Sequence, residues 1–296
     1  ISAGRRNEPV AQWIRAQSGG KTKLVHMGRP WTPLAQWDLL VTTPQYFLPE
    51  QVNVLHNDLP LHRGLREAVL SDAARTDWQA RLEHLPRPWI AVLVGGDSGR
   101  FVFTPEKGAR LGSLVNSLAE RSNGSLLYSD SPRTPAPTAD AFAGRIGVPH
   151  HGYRCSAGGD NPYRAYLALA DAFVVTGESM SMLAEAADTG KPLLVFDMGD
   201  GETPWWRLPH NYRFKPLSFH AAMRFGPQRM RRDVGCIQDA LVASGRAHWL
   251  TPELASSKDV VSGMAMAAGD AVPGAGEAAR ELEATAQRVR QLLLPH

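Results

Sequence analysis

The chain is poor in cysteine. It has two, Cys155 and Cys236, far apart and with no CxxC pair. That excludes a disulfide framework and a thioredoxin-type or zinc site, and it suits reduced thiols in a cytosol. There is no run of eighteen apolar residues, so nothing reads as a membrane-spanning helix. Charge is nearly balanced: 32 basic against 29 acidic side chains leave a net +3, too small an excess to imply nucleic acid. Several signatures are also missing. No GxxxxGK[ST] is present, which excludes a P-loop nucleotidase, and no HExxH. No Tyr-x-x-x-Lys is present, which excludes a short-chain epimerase. A hydrolase GxSxG fails around Ser98, because Arg100 stands where the second Gly is required. No internal repeat occurs, and no initiator Met precedes Ile1-Ser2-Ala3-Gly4-Arg5-Arg6. That opening reads as the end of a strand and a loop, so the first domain is expected to lack its leading elements.

What is present is the alternation of an α/β protein. With 296 residues, 43% hydrophobic, the chain is large enough for two domains. The organising stretch is Ala168 to Asp197. Ala172 to Val175 is a short apolar run that ends in Thr176-Gly177, as expected of a strand buried on both faces. From Ser179 to Ala187 the spacing becomes helical, with Met180, Leu183 and Ala187 on one face and Glu178, Ser181 and Glu185 on another. Gly190 stops that helix, and Leu193 to Phe196 is a second strand. The unit is strand, helix, strand.

Elsewhere the same reading gives a helix from Pro9, with Val10, Trp13 and Ile14 at helical spacing. It gives strands at Lys23 to His26 and Asp38 to Thr43, and one or two helices within 63–85. Pro86-Arg87-Pro88 breaks the chain, which places the domain boundary there. Trp89 to Val94 is the clearest strand, and Thr104-Pro105 caps and opens a helix. A strand at Ser125 to Ser129, a helix at Ala139 to Ile146, a strand from His150 and a helix from Asn161-Pro162 follow. Trp205, Trp206, Arg213, Lys215, Arg224, Arg229, Arg231 and Arg232 form an aromatic and basic region. Residues 256–276 read as a mobile loop rich in Ser, Gly and Ala, and Glu277 to Leu294 as a final helix.

Two strand ends carry the candidate site. One is Gly95, Gly96 and Ser98, where glycines let backbone N–H groups approach a phosphate closely. The other is Thr176, Gly177, Glu178, Ser179, Ser181 and Glu185, at a helix N-terminus whose dipole attracts anions. A bare phosphate would be repelled by Glu178, whereas Glu185 can accept hydrogen bonds from a sugar hydroxyl.

Two strand ends opposite one another resemble the build of GT-B nucleotide-sugar glycosyltransferases. The run Glu185 to Gly190-Lys191-Pro192 is similar to their donor-site helix, in which a Glu five residues before the Gly holds the ribose. A longer resemblance is to the plant mitochondrial fission factor family and its bacterial relatives. It rests on Ser2 to Arg6, Leu93 to Gly96, Asp160 to Tyr163, Ala170 to Ala186 and Gly190 to Pro192. That likeness covers the chain to about Leu250, and family members carry a further N-terminal segment.

The resemblance implies two Rossmann-like domains in a GT-B-like arrangement, 1–85 (incomplete) and 86–296, with a cleft between them. Gly4, Arg5 and Arg6 would lie on its N-terminal side. The implied activity is metal-independent transfer from a nucleotide-sugar to an unknown acceptor, with no cofactor. His26, His56 and Asp58 are the candidate bases. The alternative is a scaffold of the same shape without chemistry, working through protein interactions. Expected partners are a nucleotide or nucleotide-sugar and a protein or peripheral membrane partner, and the expected location is a bacterial cytoplasm.

Overall fold

The computed structural model describes residues 1–62, 70–199, 216–258, 260–268 and 276–294. Contacts divide the chain into two compact units. The first comprises Ile1–His62, His220–Ala240 and Glu277–His296, and the second Arg63–Phe219 and Leu241–Gly276. This differs from a boundary at Pro86. The helix Asp72–Leu82 packs within the second unit, with buried Trp78 edge-on to His151, whereas the C-terminal helix packs on the first sheet.

In the first unit the strands are β1 (Ser2–Ala3), β2 (Val25–Met27), β3 (Leu39–Thr42) and β4 (Val54–His56). They pair in parallel in sequence order, with Val25 opposite Leu39 and Leu40 opposite Val54. Helix α1 (Glu8–Gln17) crosses from β1 to β2. Side chains alternate faces along β3. Leu40 packs with Ala11, Leu24, Trp37 and Leu48 on one face. Leu39 and Val41 pack with Val25 on the other, where Val289 and Leu292 of the C-terminal helix close the core. Val10, Trp13 and Ile14, which stand at helical spacing in α1, are exposed, and Glu8 and Ala11 are its buried residues.

In the second unit the strands are β5 (Trp89–Leu93), β6 (Ser125–Ser129), β7 (His150–Tyr153), β8 (Ala172–Thr176), β9 (Leu193–Phe196) and β10 (His248–Trp249). All pair in parallel, in the order β10-β9-β8-β5-β6-β7. Helices α2 (Asp72–Leu82), α3 (Pro105–Arg121), α4 (Ala136–Ala143), α5 (Tyr163–Leu169) and α6 (Met180–Asp188) belong to this unit. Thr104 caps α3 as expected, its hydroxyl accepting the Lys107 N–H. β5, β6, β8 and β9 are buried throughout, so they read as continuous apolar runs.

The remaining helices are α7 (Pro216–Phe225), α8 (Gly235–Ala243), α9 (Pro252–Ser256), α10 (Val260–Ala268) and α11 (Glu277–Leu293). α10 occupies part of the stretch expected to be a loop: small residues there build a helix where flexibility was read from composition. Trp205, Trp206, Arg213 and Lys215 lie outside the described residues. So do residues 63–69, part of a helix expected from the sequence.

Candidate functional site

The second sheet reverses direction once. From β5 the chain moves outward through β6 to β7. It then returns to place β8 on the other side of β5, and continues outward through β9 to β10. This is the strand order of a doubly wound dinucleotide fold, and β5 and β8 flank its switch point. Ligands of such sheets bind outside the carboxyl ends of these strands. The chain leaves β5 through Val94-Gly95-Gly96 and leaves β8 through Gly177-Glu178-Ser179. Both strand ends singled out in the sequence therefore meet at one place.

The geometry there is closely packed. Thr176 Oγ1 accepts the Gly95 N–H at 2.8 Å, and Glu178 Oε1 accepts the Gly96 N–H at 2.7 Å. A Cβ on Gly95 would lie 1.8 Å from Glu178 Oε1, and one on Gly96 would lie 2.1 Å from the carbonyl oxygen of Arg133. The glycines are thus required by close approach. The expectation that their N–H groups face an open crevice needs correcting: protein acceptors already hold both. The rest of the turn is also bonded internally. Ser98 and Phe101 exchange backbone hydrogen bonds, and Asp97 Oδ1 accepts the Phe103 N–H at 2.6 Å.

The Glu178 side chain is fully buried, with Arg133 Nη2 3.9 Å away and its Oε2 unpartnered. Burial pushes its carboxyl up to about 7, against the opposing pull of the Gly96 N–H, Thr176, its own backbone N–H and Arg133. Glu178 therefore does not share an outer helix face with Ser181 and Glu185. It sits before the helix and points inward.

Ser179 begins α6 without a side-chain cap. The leading N–H groups, those of Met180, Ser181 and Met182, have no intrahelical acceptor by the geometry of any helix start. Ser181 is exposed and Glu185 half-buried, one turn apart. Glu185 Oε2 accepts the Tyr163 phenol, whose titration burial pushes up, helped by the neighbouring Glu185 carboxylate. Tyr163, Arg133 and Thr134, whose hydroxyl donates to the Gly95 carbonyl, are contributors that sequence reasoning did not assign. Tyr163 stands in a motif already noted, whereas Arg133 and Thr134 lie in a loop after β6 that carries no pattern.

In the first unit, Gly4 adopts φ 76°, and its carbonyl receives the Asn7 N–H at 3.1 Å. Arg5 donates to the carbonyl of Arg229 at 3.1 Å, and Arg6 is exposed. The candidate bases have separate partners. His26 is buried, 3.2 Å from the Ser2 hydroxyl, and burial pushes its imidazole down. His56 Nε2 lies 3.7 Å from Glu50, and the Asp58 N–H donates to Glu281 at 2.6 Å. Among the described residues no cluster of metal-ligating side chains occurs, and no helix is long and apolar enough to cross a membrane.

The architecture is that of an α/β protein with two Rossmann-like parallel sheets. The chain belongs to the mitochondrial fission ELM1 family, whose model matches residues 1–224. It is 28% identical over 218 residues to the mitochondrial fission protein ELM1 of Arabidopsis thaliana, covering 66% of this chain and 50% of that protein. It is 32% identical over 141 residues to the protein RP120 of Rickettsia prowazekii, covering 47% and 40% respectively. The chain thus spans half or less of the length of these relatives.

Similar solved structures are glycosyltransferases. MurG of Acinetobacter baumannii has a TM-score of 0.45 at 12% identity, with 95% of this chain and 72% of that one covered. WaaG, a glycosyltransferase of lipopolysaccharide biosynthesis, has a TM-score of 0.39 at 15% identity, with 91% and 83% covered.

Proposed function

We propose that the second unit binds a nucleoside diphosphate, as the activated half of a nucleotide-sugar, and that the protein transfers the sugar to an acceptor. One observation carries this reading: the switch point of a six-stranded parallel sheet opens onto the uncapped N-terminus of α6. Glu185 stands on that helix, a turn and a half from its start. In this reading the N–H groups of Met180 to Met182 and the helix dipole receive the diphosphate. They stabilise the charge that develops on it as the leaving group. Glu185 accepts ribose hydroxyls, after exchanging its bond from Tyr163 for bonds from the ligand. A base would come from residues on the acceptor side.

Two observations favour a second reading, in which the protein is a scaffold without chemistry. The N–H groups of Gly95 and Gly96 are already held by Thr176 and Glu178, and Glu185 is already bonded to Tyr163. Calorimetric titration with uridine and guanosine diphosphates separates the two. Binding that weakens in Glu185→Ala supports the donor site. The scaffold reading is favoured by an absence of binding, or by binding indifferent to that change.

A further inference from the structure

Three arginines from separate stretches of the first unit gather around Tyr46. Arg29 is 7% exposed. Its Nη1 donates to the carbonyls of Tyr46 and Phe47, at 2.9 and 3.0 Å, and its Nε has no partner. These bonds hold Phe47 at φ 52°, a left-handed conformation costly for an aromatic residue. The Arg232 guanidinium lies 5.4 Å from the centre of the Tyr46 ring, and its Nε donates to Gln45 Oε1 at 3.1 Å. Arg5 lies 5.4 Å from the centre of the Trp31 ring, and its Nη2 donates to the Arg229 carbonyl.

Every hydrogen-bond acceptor of the three is thus a neutral oxygen. Among the described residues, none of the three lies within salt-bridge distance of a carboxylate. The acids in the neighbourhood are committed elsewhere. Glu8 is buried and accepts the N–H groups of Trp31 and Thr32 and the Thr32 hydroxyl. Asp233 Oδ1 accepts the Gly235 N–H at 2.9 Å. Burial pushes the titration of Arg5 down and Arg232 adds to it, against the opposing pull of Tyr46 and Glu8; burial and then Arg5 push Arg29 down.

Gathering like charges that no carboxylate contacts is unfavourable, and an anion placed among them relieves that cost. A cleft of about 180 Å³ adjoins the cluster at the carboxyl ends of β2, β3 and β4. Gly28, Thr43, Gln45, Tyr46 and Asn57 line part of it. At Gly28 the φ is +91°, and a Cβ there would lie 3.3 Å from the Tyr46 ring, so this wall needs glycine on both counts.

We propose that Arg5, Arg29 and Arg232 form a binding site for a phosphate-bearing anion in the first unit. Arg29 fixes the Tyr46–Phe47 turn and so acts as a positioning residue. Arg5 and Arg232 have donors left over, and their planar forks match phosphate oxygens. All three arginines belong to the first unit, whereas the proposed nucleotide site is built by residues of the second. The phosphate could belong to a soluble ester or to a lipid headgroup, since the recognition chemistry is the same.

The test uses the whole chain and two probes. One is inorganic pyrophosphate, followed by calorimetry. The other is phosphatidylcholine vesicles with and without phosphatidylglycerol, followed by co-sedimentation. Variants are Arg232→Gln, at an exposed position, and the double variant Arg5→Gln with Arg232→Gln. Binding of either probe, weakened at least tenfold in the double variant and weakened by Arg232→Gln alone, supports the site. Pyrophosphate held at the start of α6 would be insensitive to both variants. Pyrophosphate binding then identifies a soluble ester, and vesicle binding alone identifies a headgroup. The proposal is overturned if the unaltered chain binds neither probe, or if Arg232→Gln leaves the affinity unchanged.

Discussion

The carboxylate of Glu178 accepts the backbone N–H of Gly96 at 2.7 Å, across the switch point of the second sheet. The bond joins the loop after β5 to the loop after β8, at the place where such sheets bind anionic ligands. The chain fills that place with an acidic group of its own.

Glu178 gives stability a pH dependence of defined sign. Its carboxyl titrates near 7 in the folded state, above its ordinary value of 4.5, because it is buried. Below about pH 4.5 it is neutral in both folded and unfolded chains. Between there and about pH 7 the unfolded chain releases the proton and the folded chain keeps it. Stability from this group therefore falls as pH rises through that window, by up to about 3 kcal/mol. Glu178→Gln should remove the fall. Urea midpoints of both proteins from pH 4 to 8 check it: their difference should grow across the window and level off above it. A constant difference would contradict the assignment.

Gly96→Val is expected to damage the fold itself. Gly96 has no positive φ, so backbone strain is not the cause. The added Cβ meets the Arg133 backbone, which cannot move aside as a flexible side chain can. At Gly95 the added Cβ meets the Glu178 carboxylate. Gly95→Ala and Gly96→Ala should each cost about 1–3 kcal/mol. Denaturant unfolding reads this directly, and wild-type midpoints would show the packing to be looser than described.

Tyr163→Phe removes the donor that occupies Glu185 Oε2. If Glu185 accepts ribose hydroxyls, freeing it should strengthen uridine or guanosine diphosphate binding. The gain should be on the order of the 0.5–1.5 kcal/mol of one hydrogen bond. Weaker binding in the variant would mean that Tyr163 itself touches the ligand. The affinity of Tyr163→Phe beside that of Glu185→Ala distinguishes the two.

Much of the second unit was legible because β5, β6, β8 and β9 are buried on both faces. Ser125 to Ser129 and Leu193 to Phe196 stand where their apolar runs place them. Thr104-Pro105 marks the start of α3 by its capping chemistry. The first unit was less legible. β4 is three half-buried residues with no periodic signal. The cover that α11 gives to β2 and β3 is a contact between the two ends of the chain, which local pattern cannot carry. At the site, the sequence identifies the two strand ends and the helix start. It does not show that Glu178 turns inward, because its spacing from Ser181 and Glu185 fits an outer helix face equally well. Its direction is decided by the Gly96 N–H and by the space that Gly95 leaves.

Binding of a nucleoside diphosphate where α6 begins can be read by amide chemical-shift mapping during titration with uridine and guanosine diphosphates. Saturable shifts are expected at Met180, Ser181 and Met182, extending to Gly95 and Gly96 as the Glu178 contact adjusts. A titration that leaves the amides of residues 180–182 unmoved, or that moves only amides remote from both strand ends, would contradict it.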